Sequence, residues 1–328
     1  MKKIFGIIIF SVMFLGAFFL VVPSQAAEEY PAKPIVFIIP IEAGSDGDII
    51  TRPLVEKASS VLGKPIMVVN KPGAGSSIGY REVYNAKPDG YTIGMSTITI
   101  VTLKIQGLLP VDYHDFTLMG TFYRMYANLF ASTKTKNPFK TAKEAISYAK
   151  AHPGEVRVAT SSVGSSLWIG TMSLISGAGI DLNVIPSAGG GGYAIAQTAG
   201  GHTDLAVTHV AAAKPQIEAG NLRFLAVIGD ERDPNYPNVP TIKEIGYNVF
   251  WESFGTVIGP PKMPQVAVEK LRNAFRIAAT DPAYQKFLLT KFANPFYISH
   301  DKIIPYADER GKIVHDIMKK AGILKEKK

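Results

Sequence analysis

Two short apolar runs near the start of the chain each end in a glycine-rich loop. Ile35–Ile39 passes through Pro40 into Ala43-Gly44-Ser45-Asp46-Gly47-Asp48. Ile66-Met67-Val68-Val69-Asn70 passes into Lys71-Pro72-Gly73-Ala74-Gly75-Ser76-Ser77-Ile78-Gly79. Neither run alternates, which predicts parallel strands covered on both faces. Between them Ile49, Ile50, Leu54, Val55, Ala58, Val61 and Leu62 recur near helical spacing, so residues 48–62 read as a helix. A third strand, 91–95, is entered through the turn Lys87-Pro88-Asp89-Gly90, and a fourth is read at 128–131.

The alternation of strand and helix continues. Thr141 and Glu144 have capping-box spacing before a helix at Ala142–Ala151, which His152-Pro153-Gly154 stops. The strand 155–159 runs into the loop 160–166 and a helix at 167–176. The strand 183–186 runs into the glycine-rich loop 187–192. Residues 204–208 and 223–228 read as further strands, and the loop 230–240 is proline-rich. Thr241 and Glu244 repeat the capping-box spacing, predicting a short helix ended by Gly246. A strand at 250–258 follows, then a helix with Ala267, Leu271, Phe275 and Ala278 on one face. A last helix, capped by Asp281-Pro282, runs through Leu289. This pattern is α/β, with strand–glycine-loop–helix units in both halves and no flexible linker. It suits two lobes with a ligand cleft between them.

Composition narrows the class. The chain has 328 residues and is 47% hydrophobic, enough for two cores. Residues 4–22 are apolar apart from Ser11; Lys2 and Lys3 precede them and Ser24-Gln25-Ala26 follows. That reads as a signal peptide cut after Ala26, so export to the periplasm or extracytoplasmic face is expected. There is no cysteine, which excludes disulfides, a lipidated N-terminal cysteine and thiol chemistry. Without Lys2 and Lys3 the chain has 33 basic residues against 27 acidic ones, a net charge of +6. The basic residues are scattered, which argues against nucleic acid as a partner.

Three chemical motifs were weighed. Gly75-Ser76-Ser77-Ile78-Gly79 matches G-x-S-x-G and follows a strand, so a secreted serine hydrolase using Ser77 is one alternative. It needs a histidine base, and none of the six histidines stands in an evident strand-end context like that of the elbow itself, although His209 closely follows a strand. The glycine runs match no phosphate-binding fingerprint. Metal-ligand spacings are lacking, and no cofactor is expected. What remains is backbone N–H and hydroxyl groups at strand ends, suited to a carboxylate.

An ordered set of short motifs carries a resemblance. Tyr30-Pro31-Ala32-Lys33-Pro34-Ile35 stands with Pro40, Ala43-Gly44, Asp48 and Arg52. Leu62-Gly63-Lys64-Pro65, Asn70-Lys71-Pro72-Gly73-Ala74-Gly75 and Ala86-Lys87-Pro88-Asp89-Gly90-Tyr91-Thr92 follow. Then come Pro153-Gly154, Val163-Gly164-Ser165, Ala219-Gly220, Leu225-Ala226-Val227, and Val239-Pro240-Thr241 with Glu244 and Gly246. By these residues the chain resembles the extracytoplasmic solute receptors of tripartite tricarboxylate transporters, the Bug proteins. The resemblance covers nearly all of the chain after residue 26.

The resemblance implies a two-lobed periplasmic-binding-protein (type II) fold that closes on a small organic acid. It implies delivery to membrane permease subunits by a monomeric receptor, with no enzymatic step. A sensor that signals to a membrane kinase is the other alternative. The lobes are expected at 27–126 plus 247–328 and at 127–246. The expected ligand-binding residues on the first lobe are Ile41, Glu42, Ala43, Gly44, Ser45, Asp46, Ala74, Gly75, Ser76 and Ser77, with Ser96 and Thr97. The facing lobe would contribute Ser161, Gly164, Ser165, Ser166, Ser187, Gly189, Gly190 and Thr208.

The chain departs from the family pattern at the cleft. Ile41 replaces an aromatic residue, Ser45 a glycine, Trp168 a histidine, and Ser187-Ala188 a tyrosine and a basic residue. Glu42 and Asp46 place acids beside an anion site, where like charge repels a carboxylate. Either the ligand also carries a cationic or hydrogen-bond-donating group, or both acids face solvent.

Overall fold

The computed structural model describes residues 30–187 and 190–324. The expected signal peptide and Gly189 lie outside the described residues. The strands are β1 (Ile35–Ile39), β2 (Ile66–Asn70), β3 (Thr92–Thr97), β4 (Thr117–Ser132), β5 (Arg157–Ser161), β6 (Asn183–Ser187), β7 (Leu205–Thr208), β8 (Leu222–Ile228), β9 (Glu252–Gly259) and β10 (Asn294–Pro295). The helices are α1 (Asp46–Leu62), α2 (Ser77–Tyr84), α3 (Thr99–Ile105), α4 (Ala142–Ala151), α5 (Ser166–Ala178), α6 (Gly190–Ala199), α7 (Val210–Glu218), α8 (Gln265–Ala279), α9 (Pro282–Thr290) and α10 (His300–Lys320).

The strands follow the order β2-β1-β3-β9-β4-β7-β5-β6, with β8 and β10 also paired to β4. β1 lies parallel between β2 and β3, with Ile35 opposite Ile66 and Val36 opposite Thr92. β5 lies parallel between β6 and β7. So two parallel sets, as expected, each point their carboxyl ends toward loops that can hold a ligand. In the first set, α1 and α8 cover one face. Ile50, Leu54 and Val55 meet Ile35, Phe37 and Ile39, together with Leu271 and Phe275 of α8. Each such fully buried side chain contributes roughly 1.5–3 kcal/mol.

β4 joins the two sets. Over 16 residues it pairs with β9 as far as Tyr126, then with β8 from Ala127 and with β7 from Asn128. The sequence reading found only 128–131 of it. Register shifts between Leu118 and Gly120 and between Thr121 and Tyr123 break the period that would have marked the rest. A second correction concerns Thr241 and Glu244. Their capping bonds form, Glu244 N–H to Thr241 Oγ1 at 3.1 Å and Thr241 N–H to Glu244 Oε2 at 2.7 Å, but 242–246 is a turn, not a helix. Ile242 donates its N–H to Val227 O at 2.8 Å, so β8 claims the backbone that would have begun the helix. The loops read at 73–79 and 187–192 are also shorter than expected, because α2 starts at Ser77 and α6 at Gly190.

Buried charge sits where β4 and β9 pass between the two sets. Glu252, paired in register with Tyr126, is fully buried. Arg310 Nε reaches its Oε1 at 3.2 Å, and Arg124 Nη1 lies 3.8 Å from its Oε2. Arg124 also bridges to Glu231 at 2.6 Å and lies against the rings of Tyr126 and Phe296. Next along the chain, Trp251 is buried against Gly170 of α5; a Cβ there would come within 2.9 Å of the indole.

Burial pushes the Glu252 carboxyl up to about 7, against the opposing pull of Arg310 and Arg124. An acid whose pKa is raised by folding binds its proton more tightly in the native state, so ionising it costs stability. The penalty is absent below the ordinary value of 4.5 and complete above about pH 7, on the order of 3 kcal/mol. We expect thermal unfolding followed from pH 4.5 to 8 to show this loss as pH rises, and Glu252→Gln to remove it. An equal slope in the variant would assign the pH dependence elsewhere.

Candidate functional site

The strand-end loops meet at a groove of about 550 Å³, within the range of small-molecule sites. From the β1–α1 loop it is lined by Ile41, Glu42, Ser45 and Asp46, and from the β2–α2 loop by Gly75 and Ser76. Ser161, at the end of β5, and Leu167, in the first turn of α5, close it from the other strand set. A second cavity of about 540 Å³ lies between α5 and α10, lined by Ser173, Lys243 and Arg310 among others. The loop after β8 reaches it through Gly229 and Asp230, but none of the glycine-rich loops after β1, β2 or β5 does.

Asp48 braces the β1–α1 loop. Its carboxylate is buried and accepts from Gly44 N–H at 2.9 Å, Arg52 Nε at 3.0 Å and Asn70 Nδ2 at 2.9 Å. Asn70 Nδ2 also donates to Ile41 O, which ties the loop to the end of β2. Burial opposes ionisation of Asp48, but the hydrogen bonds from Arg52, Gly44 and Asn70 outweigh it and hold the carboxyl below its ordinary range. The Gly44 amide, expected to meet the ligand, is therefore spent inside the loop. The Ser45 hydroxyl is turned back to Glu42 O at 2.7 Å. Asp46 in the first turn of α1 has no hydrogen bond or ion pair among the described residues.

The β2–α2 loop is wound against its preference. Gly73, Ala74, Gly75 and Ser76 have φ of 118°, 46°, 65° and 82° in succession. For Ala74 and Ser76 this region costs roughly 1–2 kcal/mol each. Strain of this kind collects at functional sites, where surrounding structure holds it. Ser76 N–H donates to Gly73 O, and Ser77 N–H to Ala74 O. Ser77 itself is buried at the start of α2, and no hydrogen bond joins its hydroxyl to a histidine among the described residues. Beneath the loop, Gly79 lets α2 approach: a Cβ there would lie 2.9 Å from Pro40 Cα.

The other expected residues fall into three groups. Ser96 and Thr97 end β3 and are turned inward; Thr97 accepts from Thr99 N–H, and its own N–H donates to the Tyr80 hydroxyl. In the facing set, Ser165 Oγ caps α5 by accepting from Trp168 N–H, and Ser166 Oγ accepts from Trp251 Nε1 at 3.1 Å. Ser187 lies opposite Ser161 in register at the end of β6, Thr208 is buried at the end of β7, and Gly190 begins α6 with φ +67°. Gly164 is met from the first set by Gln106, which follows α3; a Cβ on Gly164 would lie 1.9 Å from Gln106 Nε2.

Sequence reasoning passed over Gln106 and Leu167. Gln106 has no motif around it. Leu167 reads as the first residue of a helix.

Asp48 leaves a test. Asp48→Ala strands Arg52, Asn70 and the Gly44 amide, so unfolding free energy should fall by roughly 2–4 kcal/mol. A depressed carboxyl lends stability above its ordinary value of 3.8 and loses it as pH falls. Wild-type and variant melting curves should therefore converge in acid. Curves that stay parallel from pH 7 to 3 would deny Asp48 this role.

Known proteins share both the sequence and the fold. Residues 50–323 match the model of the tripartite tricarboxylate transporter family receptor. The chain is 30% identical over 307 residues to an uncharacterised-family protein encoded in the gbd 5′ region of Cupriavidus necator, covering 92% of both chains. It is 28% identical to Protein BugT of Bordetella pertussis, covering 92% of this chain and 91% of that one. Its fold superposes with TM-score 0.76 on a TctC solute-binding protein from Polaromonas, at 25% identity, covering 89% of this chain and 99% of that one. A Rhodopseudomonas palustris protein solved with adipate has the same fold, with TM-score 0.77 at 24% identity, covering 89% and 98%. The chain belongs to the tripartite tricarboxylate transporter receptor family, with the mixed α/β, two-lobed fold of its solute-binding proteins.

Proposed function

We propose that this protein is an exported, monomeric receptor that captures a small organic acid in the groove and hands it to the membrane subunits of a tripartite tricarboxylate-type transporter. Among the described residues the first lobe comprises 30–126 and 247–324, and the second 127–187 and 190–246. The observation that carries this reading is the groove itself, with strand-end loops of one parallel set on one side and Ser161 and Leu167 of the other set opposite. Ser165 Oγ occupies the Trp168 amide, but the Ser166 and Leu167 amides in the first turn of α5 lack intrahelical acceptors and no acidic residue stands among them, so a carboxylate finds donors there. Closure of the lobes expels water and strengthens these hydrogen bonds. No step requires a nucleophile, and no helix among the described residues is long and apolar enough to cross a membrane. The adipate held by the R. palustris protein sets the first acid to try.

Protein purified without refolding should release an organic acid in native mass spectrometry. Thermal-shift and calorimetric titration with four- to six-carbon acids should raise its melting temperature. A tenfold excess of ligand over Kd stabilises by about 1.4 kcal/mol. Absence of binding to any such acid, or ester hydrolysis abolished by Ser77→Ala, would overturn the reading.

A further inference from the structure

The cavity of about 540 Å³ between α5 and α10 lies away from the groove and is large enough for a small molecule. Ser173 and Ser176 of α5 and Lys243 of the turn 242–246 line it, with Arg310, Ile317 and Lys320 of α10. A smaller cavity of about 320 Å³ adjoins it, sharing Ser176, Ile317 and Lys320. The other side chains of that smaller cavity are Met172, Ile175 and Ile180. Together they form a trough that is polar at one end and apolar at the other.

The charges at the polar end are unevenly committed. Asp230 accepts from the Tyr126 hydroxyl and faces Arg124 at 3.9 Å, and Glu309 pairs with Arg310 at 3.0 Å. Asp316 is exposed, with His315 beside it at 3.6 Å. Arg310 is spent on Glu252 and Glu309, and it lies 3.5 Å from the centroid of the Tyr306 ring. Among the lining residues two cations remain. Lys243 makes no hydrogen bond or ion pair among the described residues, and Lys320 donates only to the neutral Ser176 Oγ, at 3.0 Å. The α5 wall also holds Ser173, whose buried hydroxyl has no hydrogen-bond partner among the described residues. Buried polar groups are rarely left without one.

We propose that this trough is a second binding site, for an amphiphilic monocarboxylate. Its head lies between Lys243 and Lys320, and its aliphatic tail runs past Ile317 toward Met172, Ile175 and Ile180. Burial of the tail drives binding, and the two lysines select the head. A dicarboxylate of the same length would force its second charge against the apolar end, so the trough and the groove select different acids. One helix serves both sites, because Leu167 of α5 lines the groove while Ser173 and Ser176 line the trough.

Calorimetry with decanoate, below its micelle-forming concentration, tests the site. Decanol, decyltrimethylammonium and decanedioate keep the chain length and change only the ends. Decanoate should bind saturably and roughly tenfold more tightly than each of the three. Lys243, Ser176 and Lys320 are exposed, so variants there leave the core intact. Lys243→Glu combined with Lys320→Glu should weaken decanoate about tenfold by reversing the charge, and Ser176→Trp should do so by filling the junction of the two cavities. Asp46→Lys, in the groove, should leave decanoate affinity unchanged. Circular dichroism and melting establish that each variant is folded. Any control ligand bound as tightly as decanoate, affinity unmoved in both trough variants, or affinity that follows Asp46→Lys instead, would overturn this inference. Capture of an acid in the groove is decided separately, since neither trough variant alters a residue that lines it.

Discussion

Everything in this molecule hangs on two strands that pass from one parallel set to the other. β4 changes partners between Tyr126 and Ala127, and β9 starts at Glu252, opposite Tyr126. A carboxylate buried at that point demands compensation, and Arg124 and Arg310 supply it from β4 and α10. Compensation is incomplete: Glu252 Oε2 and Arg124 Nε are buried without a hydrogen bond. Removing one partner of such a cluster costs more than the cluster contributes, so it constrains the crossing more than it stabilises the fold.

The groove inherits its shape from this crossing. The carboxyl ends of β1, β2 and β3 face those of β5, β6 and β7 only because β4 and β9 carry the chain between the sets. Trp251 transmits the same constraint to α5. Its indole sits on Gly170 and donates to Ser166 Oγ in the first turn of that helix. The helix end proposed to meet a carboxylate is thus fixed to the strand that crosses. This is how a binding protein places donors without a charged clamp: rigid elements hold backbone groups where an anion will sit.

Loop chemistry then divides the hydroxyls and amides between structure and ligand. The brace around Asp48 occupies the Gly44 amide, and the Ser45 hydroxyl bonds within its own loop. Ser165 and Ser166 serve α5 and Trp251. The serine-rich appearance of the strand ends therefore overstates the number of donors open to a ligand. The groups left over include the Asp46 carboxylate, an acceptor that a count of hydroxyls does not reveal.

Much of this was legible in the chain. The unalternating runs at Ile35 and Ile66 marked parallel strands, but only β1 is covered on both faces; β2 is an edge strand with Met67 half exposed, and the glycines after both runs marked the ends that meet at the groove. Thr141 and Asp281 are local signals, and the helices beside them obey local rules. The full length of β4 was hidden because its bulges and aromatic residues interrupt any period, and the turn at 242–246 was misread because β8 takes its backbone. The positive φ angles at 73–76 and the seating of Gln106 on Gly164 belong to tertiary structure alone. The sequence by itself determined which segments end in donors and which helices carry acids. Only the fold decided which of those groups meet, because the approach of Gln106 to Gly164 depends on where the crossing strands set the two halves, and no local pattern encodes that distance.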